Sequence, residues 1–197
     1  MKTESSLLIA LETILKPLDV SGLFPQPQPL HVELGSGDGS FLVKYAGLHP
    51  EMNFIGVERL LGRLRKIDRK GTRAGLTNTR GVRIEAAYFL EYLLPKKSVA
   101  ALHIYFPDPW PKRKHRKHRL INDRFPQLAR EVLVPGGMVY LRTDDLDYFG
   151  QMKAVFEGSP LFAQIPTPPS LAEVITDFER GFMARGVQTQ RLALQSV

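Results

Sequence analysis

The chain contains no cysteine in its 197 residues. That excludes disulfides, thiolate zinc sites and cysteine nucleophiles, and it suits a reducing compartment. No window approaches the ~18 uninterrupted apolar residues of a membrane-spanning helix, so no membrane association is expected. Acidic residues are in deficit, 20 against 27 lysines and arginines, for a formal charge of +7. The opening segment, Met1-Lys2-Thr3-Glu4 and an apolar stretch broken by Glu12, is too short and too acidic for a secretory signal. A cytoplasmic location is the expectation. There is no internal repeat, and the length suits a single domain with a proper core.

What is present alternates. Apolar runs at 30–34, 53–58, 82–86, 99–106 and 138–143 read as strands. Helical patterns fall between and after them, at 40–48, 60–74, 89–94, 123–133 and 146–157. Strands apolar on both faces and separated by helices predict an α/β fold, a Rossmann-like doubly wound and mostly parallel sheet. Ahead of it, residues 4–16 carry Leu7, Leu8, Leu11, Ile14 and Leu15 at helical spacing. The run Phe24-Pro25-Gln26-Pro27-Gln28-Pro29 is a stiff extended linker. The expected organisation is an N-terminal helix and proline-rich linker over 1–29 and one domain over 30–197. Pro135-Gly136-Gly137 turns a helix into a strand, residues 166–169 form a second linker, and 187–194 reads as the last strand.

The positive charge is concentrated. Lys112, Arg113, Lys114, Arg116, Lys117 and Arg119 lie in one stretch with His115 and His118. Without those six cations the +7 falls to +1. Such concentration points to a docking surface for phosphates. The stretch follows an apolar strand that ends in Pro107-Asp108-Pro109-Trp110, so a carboxylate stands beside a cationic wall. Trp110 either stacks on a base or anchors the loop. A second basic region, Arg59, Arg63, Arg65, Lys66, Arg69, Lys70 and Arg73, either extends a nucleic-acid track or serves solubility.

The first strand runs into Glu33-Leu34-Gly35-Ser36-Gly37-Asp38-Gly39. Gly35 and Gly37 allow a tight turn and close approach of a ligand to the backbone. The spacing departs from the dinucleotide fingerprint, and Glu33 would repel a pyrophosphate. A cationic ligand fits better, and S-adenosylmethionine (SAM) carries an ammonium and a sulfonium but no phosphate. Glu58, at the end of the next strand, can accept both ribose hydroxyls. His31 and His103 read as packed histidines. His115 and His118 have no evident third ligand, so no metal site is expected.

The string Phe106-Pro107-Asp108-Pro109-Trp110-Pro111-Lys112 and its basic continuation resemble the tRNA (guanine-N7-)-methyltransferase family. So do Glu33-Leu34-Gly35, Gly56-Val57-Glu58, Arg142-Thr143-Asp144 and Thr176-Asp177-Phe178-Glu179, in the same order from about Val32 onward. The resemblance implies a class I SAM-dependent methyltransferase that modifies a guanine in the variable loop of tRNA. It implies that Glu33, Glu58 and Asp108 contact SAM and that Asp108 is also the catalytic residue. By the same resemblance Lys112, Asp144, Thr176, Asp177, Phe178 and Glu179 contact the substrate. Lys114, His115, Arg116, Lys117, His118 and Arg119 match the RNA-contacting segment. Two departures stand out. The family's usual Asp or Asn after the third strand is Ala86 here, so either the preceding Glu85 or backbone amides serve the adenine end of SAM. The N-terminal arm also lacks the family's basic cluster.

Guanine N7 bears a lone pair and no proton, so its methylation needs alignment rather than a general base. An ionised Asp108 would then act by position and charge. Thr176 and Glu179 also have the spacing of a helix capping box. Because fold alone does not fix a substrate, two alternatives stand: a SAM methyltransferase for another RNA or small molecule, and a catalytically silent tRNA binder. The oligomeric state, monomer or homodimer, is left open.

Overall fold

A computed structural model describes residues 6–197. The fold is a mixed α/β domain with a mostly parallel sheet, in which two compact units, divided after Pro95, are distinguished. No helix among the described residues is long and apolar enough to cross a membrane.

In the first unit, β2 (Leu30–Leu34), β3 (Asn53–Val57) and β4 (Thr79–Val82) pair in parallel, with β1 (Leu8–Ile9) along the outer side of β4. Every residue of β2 and β3 is buried. That is why these strands read as continuous apolar runs and not as alternating ones. Helices α1 (Ser40–Leu48) and α2 (Leu61–Arg73) cross between them. α3 (Ala86–Tyr88) continues as one π turn, Phe89–Leu93.

In the second unit, β5 (Val99–Tyr105) pairs in parallel with β6 (Leu133–Thr143). β8 (Gln190–Ser196) runs antiparallel to both β6 and β7 (Phe162–Ile165). A single 3₁₀ segment spans Arg113–His118, and α4 (Phe125–Val132) and α5 (Leu146–Glu157) flank the strands. The short helices α6 (Pro169–Ala172) and α7 (Asp177–Met183) follow β7.

Four expectations need correction. The helix expected over 4–16 does not form among the described residues; positions 4 and 5 lie outside them. Leu7 instead buries its side chain where Gly71 of α2 leaves room, its N–H donates to Asp68 at 2.7 Å, and Leu8–Ile9 pairs with β4. Leu15 and Ile14 are left largely exposed. The third strand lies at Thr79–Val82, not at 82–86, because Glu85 starts a helix. Pro135-Gly136-Gly137 sits inside β6 as an irregularity, with Leu133 opposite Val99 and Met138 opposite Ala101. The linker read over 166–169 ends by opening α6 at Pro169.

Candidate active site

In the first unit the turn after β2 is built from backbone and one carboxylate. Gly35, Gly37 and Gly39 have φ of 82°, 56° and 76°, a region that side chains other than glycine's adopt at a cost. The N–H groups of Gly35 and Ser36 both donate to the Val57 carbonyl at 2.9 Å. Glu58, just past β3, accepts from Gly37 N–H at 3.0 Å through Oε2 and from Leu60 N–H at 2.7 Å through Oε1. It thereby fastens the turn to the start of α2.

The glycines divide by purpose. A Cβ on Gly39 would stand 2.7 Å from Ile67 Cγ1, and one on Gly56 would stand 2.5 Å from Leu42 Cδ2. These two permit close packing. A Cβ on Gly35 or Gly37 would meet nothing within 4 Å, so the backbone there faces open space. Glu33 is buried at the end of β2. An open glycine turn framed by Glu33 and Glu58 fits a ligand with ammonium and ribose hydroxyl groups, and it disfavours a pyrophosphate. Asp38 is engaged elsewhere, with Lys70 Nζ at 2.6 Å and Ser40 N–H at 3.2 Å. Partial burial pushes its carboxyl up, but the Lys70 ammonium outweighs this and holds it below the usual range.

Glu85 has a role that the residue pattern did not reveal. Its carboxylate caps α3, accepting from Ala87 N–H at 3.0 Å and Tyr88 N–H at 2.8 Å. The preference of a carboxylate for a helix N-terminus was the available signal. Ala86 is the first residue of that helix.

In the second unit the segment after β5 is held differently. Phe106 and Trp110 both have positive φ, 51° and 44°, each costing about 1–2 kcal/mol for a residue with a Cβ. They bracket Pro107-Asp108-Pro109, whose prolines fix φ. Asp108 between them is exposed. The Phe106 N–H donates to the Arg142 carbonyl at 2.8 Å, and its ring packs on Phe182 of α7 at 5.4 Å. Trp110 lies 5.3 Å from the His118 ring and 6.0 Å from that of His115, with 38% of its surface exposed. It anchors the loop to the 3₁₀ segment and keeps a face open.

The basic stretch is not uniform. Lys112, Arg113, Lys114 and Lys117 are exposed and form no ion pair among the described residues. His115 is half-buried and His118 exposed. Arg116 pairs with Asp147 Oδ1 at 2.9 Å. Arg119, expected on the RNA-contacting face, points inward and is 2% exposed. Its guanidinium donates to Pro109 O at 2.7 Å, Gln151 Oε1 at 2.8 Å and Asp147 Oδ2 at 2.6 Å, and it lies 4.7 Å over the Tyr148 ring. The planar fork is matched to this role. Arg119 ties the carbonyl next to Asp108 to α5. The Arg119 bond holds the Asp147 carboxyl below its usual range, aided by Arg116. Burial pushes the Tyr148 hydroxyl up to about 12, and that oxygen accepts from Ile121 N–H at 2.9 Å.

A second inward group corrects a further expectation. Glu179, expected to touch substrate, is fully buried. It accepts from Arg142 at 3.0 Å and from Arg191. Arg142 also donates to the carbonyls of Val174 and Leu171 and lies 4.3 Å over Tyr105. Thr176 is buried and caps α7, accepting from Glu179 N–H at 3.0 Å. Asp144 is half-buried at the exit of β6; Asp177, paired with Arg180 at 2.5 Å, and Phe178 are exposed. No sequence spacing links Arg142, Glu179 and Arg191, which meet only through the fold. His103 is packed as expected, 2.8 Å from the Tyr105 hydroxyl.

Residues 27–192 match a protein-family model described as "Putative methyltransferase". The tRNA (guanine-N(7)-)-methyltransferase of Syntrophotalea carbinolica is 33% identical over 190 residues, covering 94% of this chain and 82% of that protein. The enzyme of the same description from Halorhodospira halophila is 36% identical, covering 89% and 78%. The chain belongs to the tRNA (guanine-N(7)-)-methyltransferase family. Among solved structures, the 16S rRNA methyltransferase KamB matches with a TM-score of 0.60 at 18% identity, covering 87% of this chain and 88% of that one. TrmN from Thermus thermophilus matches at 0.62 and 20% identity, covering 88% and 45%. At these identities the likeness speaks for the fold. In this member of the family the first unit carries an acidic, open glycine turn and the second a strained prolyl loop bearing Asp108.

Proposed function

We propose that this chain methylates N7 of a guanine in the variable loop of tRNA, using SAM, through a methyltransferase domain spanning 30–197 in the cytoplasm. The observation that carries the reading is Asp108, held between two residues in the left-handed backbone region and followed by an exposed cationic stretch, in a chain of this family. SAM supplies an electrophilic methyl group on a sulfonium, so that a bond to N7 forms as the bond to sulfur breaks.

The chain's own residues bind and orient. The open turn at Gly35 and Gly37 receives the cofactor; Glu33 suits its ammonium, and Glu58 has lone pairs left for ribose hydroxyls after accepting two N–H groups. Ala86 offers no side-chain oxygen, and Glu85 is committed to capping, so backbone groups near Ala86 serve the adenine end. N7 carries no proton, and no residue need remove one. Asp108 holds the guanine through its N1–H and N2–H donors and stabilises the positive charge that the purine gains. Lys112, Lys114 and Lys117 neutralise phosphates, with His115, His118 and Trp110 beside them. Asp144, Asp177 and Phe178 contact the substrate, on a segment that Thr176 and Glu179 hold in place.

The test is transfer of labelled methyl from SAM to unmodified tRNA and to the same tRNA with 7-deazaguanine at the variable-loop guanine. Label on the first and none on the second is expected. Equal label on both would name another atom, and none on either with tRNA still bound would favour a silent binder.

A further inference from the structure

The second basic region has a specific form in the fold. Helix α2 turns Leu64, Ile67 and Gly71 inward, while Arg65, Lys66, Arg69 and Arg73 are all exposed. At 100° per residue these four fall within about 100° of one another, opposite the buried side, over about 12 Å of helix axis. None of them forms an ion pair among the described residues. The anions nearby are committed elsewhere. Asp68, the helix's one acidic residue, accepts from Leu7 N–H and the Ser6 hydroxyl, and Asp38 is taken by Lys70.

Apart from Arg73 in the last turn, this charge works against the helix that carries it. The first turn holds no acidic residue, and its start has no side-chain cap. Arg59 and Arg63 crowd the positive end of the helix dipole. Cations at i, i+3 and i+4, as in Lys66, Arg69 and Arg73, repel one another. Solubility alone would be served equally by mixed charges. A cationic face without counterions, held against the helix's own electrostatics, is matched by a regular array of phosphates.

We propose that the outer face of α2 is a second RNA-docking surface that grips the sugar–phosphate backbone of a tRNA stem, apart from the basic stretch after Trp110. The inference rests on the tRNA reading above. It assigns this face to affinity for intact tRNA and gives it no part in the methyl transfer. With two to three phosphates contacted, it contributes about 2–3 to the slope of log affinity against log salt.

The experiment compares the full chain with Lys66→Gln/Arg69→Gln/Arg73→Gln, glutamine keeping helix propensity, in binding intact tRNA from low to high salt. Each protein also methylates both intact tRNA and a short stem-loop carrying the variable-loop guanine. The expected result is at least tenfold weaker binding of intact tRNA at low salt, convergence at high salt, and a slope smaller by about 2–3. KM for intact tRNA should rise with kcat unchanged, and activity on the short substrate should be equal. Equal affinity and slope for the two proteins would overturn the inference. So would loss of binding to anionic phosphatidylserine vesicles with tRNA binding intact, which would assign the face to a membrane surface. Failure of the unaltered protein to bind or methylate any tRNA would instead sink the underlying reading. A thermal melt of the variant within a few degrees of the parent establishes that it is folded. Should it melt lower, Arg65→Gln/Arg69→Gln, without the last-turn residue, carries the same comparison.

Discussion

The two units hold a carboxylate in opposite ways. In the first, Glu58 is buried and bound by two backbone N–H groups, and the turn it fastens uses glycines where positive φ is needed. In the second, Asp108 is exposed, and the turn around it forces Phe106 and Trp110 into that same region while prolines and Arg119 keep it there. The glycine turn is comfortable and is held by backbone and one carboxylate at the end of the neighbouring strand. The prolyl turn is strained and depends on distant residues to maintain it. The first solution leaves open space over the backbone, whereas the second fixes the backbone on either side of Asp108.

The sharpest break in this comparison is Asp108→Asn. Loss of the charge is expected to lower kcat by about 10²–10³-fold. Near-normal turnover, with Asp144→Asn inactive, would move the role to Asp144.

A second difference concerns acid. His31 in the first unit is held at about 4, because burial disfavours its charged form and His49 adds repulsion against a smaller opposing effect of Glu51. The unfolded chain would bind that proton near 6.5. Stability from neutral His31 is therefore complete above pH 6.5 and is lost as pH falls toward 4, by about 3 kcal/mol in all. Urea titrations from pH 7 to 4 should show this decline, and His31→Phe, beside Phe54 and Tyr45, should flatten it.

Gly39→Ala tests the comfort of the glycine turn. It combines φ of 76° with a Cβ 2.7 Å from Ile67, and about 1–3 kcal/mol of stability should go, read as a lower midpoint together with weaker SAM binding. An unchanged midpoint would mean that the turn relaxes freely.

The smallest effect expected is that of Arg119→Lys, about tenfold in kcat through loosened placement of Asp108, with the salt dependence of tRNA binding unchanged. A slope reduced by about 0.9 with kcat preserved would return Arg119 to the phosphate contacts.

Much of the fold was legible because its determinants are local. Continuous apolar runs gave β2, β3 and β5, and glycines marked the cofactor turn. β4 was misplaced because its sequence, Thr-Arg-Gly-Val, hides burial behind polar names; Arg80 lays its guanidinium over Phe24 at 5.2 Å. The N-terminal leucines have a helical period, but room above Gly71 and an acceptor at Asp68 made extended pairing the better choice for Leu7. The Asp108 loop and the exposed lysines could be read from the chain. The inward turn of Arg119 and Glu179 could not, since their partners lie 28 to 37 residues away along the chain for Asp147 and Arg142 and nothing in a linear pattern pairs them.

The Arg142–Glu179–Arg191 cluster sets a limit on portability. One buried carboxylate serves two arginines from β6 and β8, so the α7 segment is not a detachable cassette. Transplanting Thr176–Glu179 into another scaffold without both arginines would bury a lone negative charge. Keeping the arginines and dropping Glu179 would remove the only carboxylate paired with the buried Arg142 among the described ion pairs. The three side chains act as one electrostatic unit, so the segment carries its function only together with both strands.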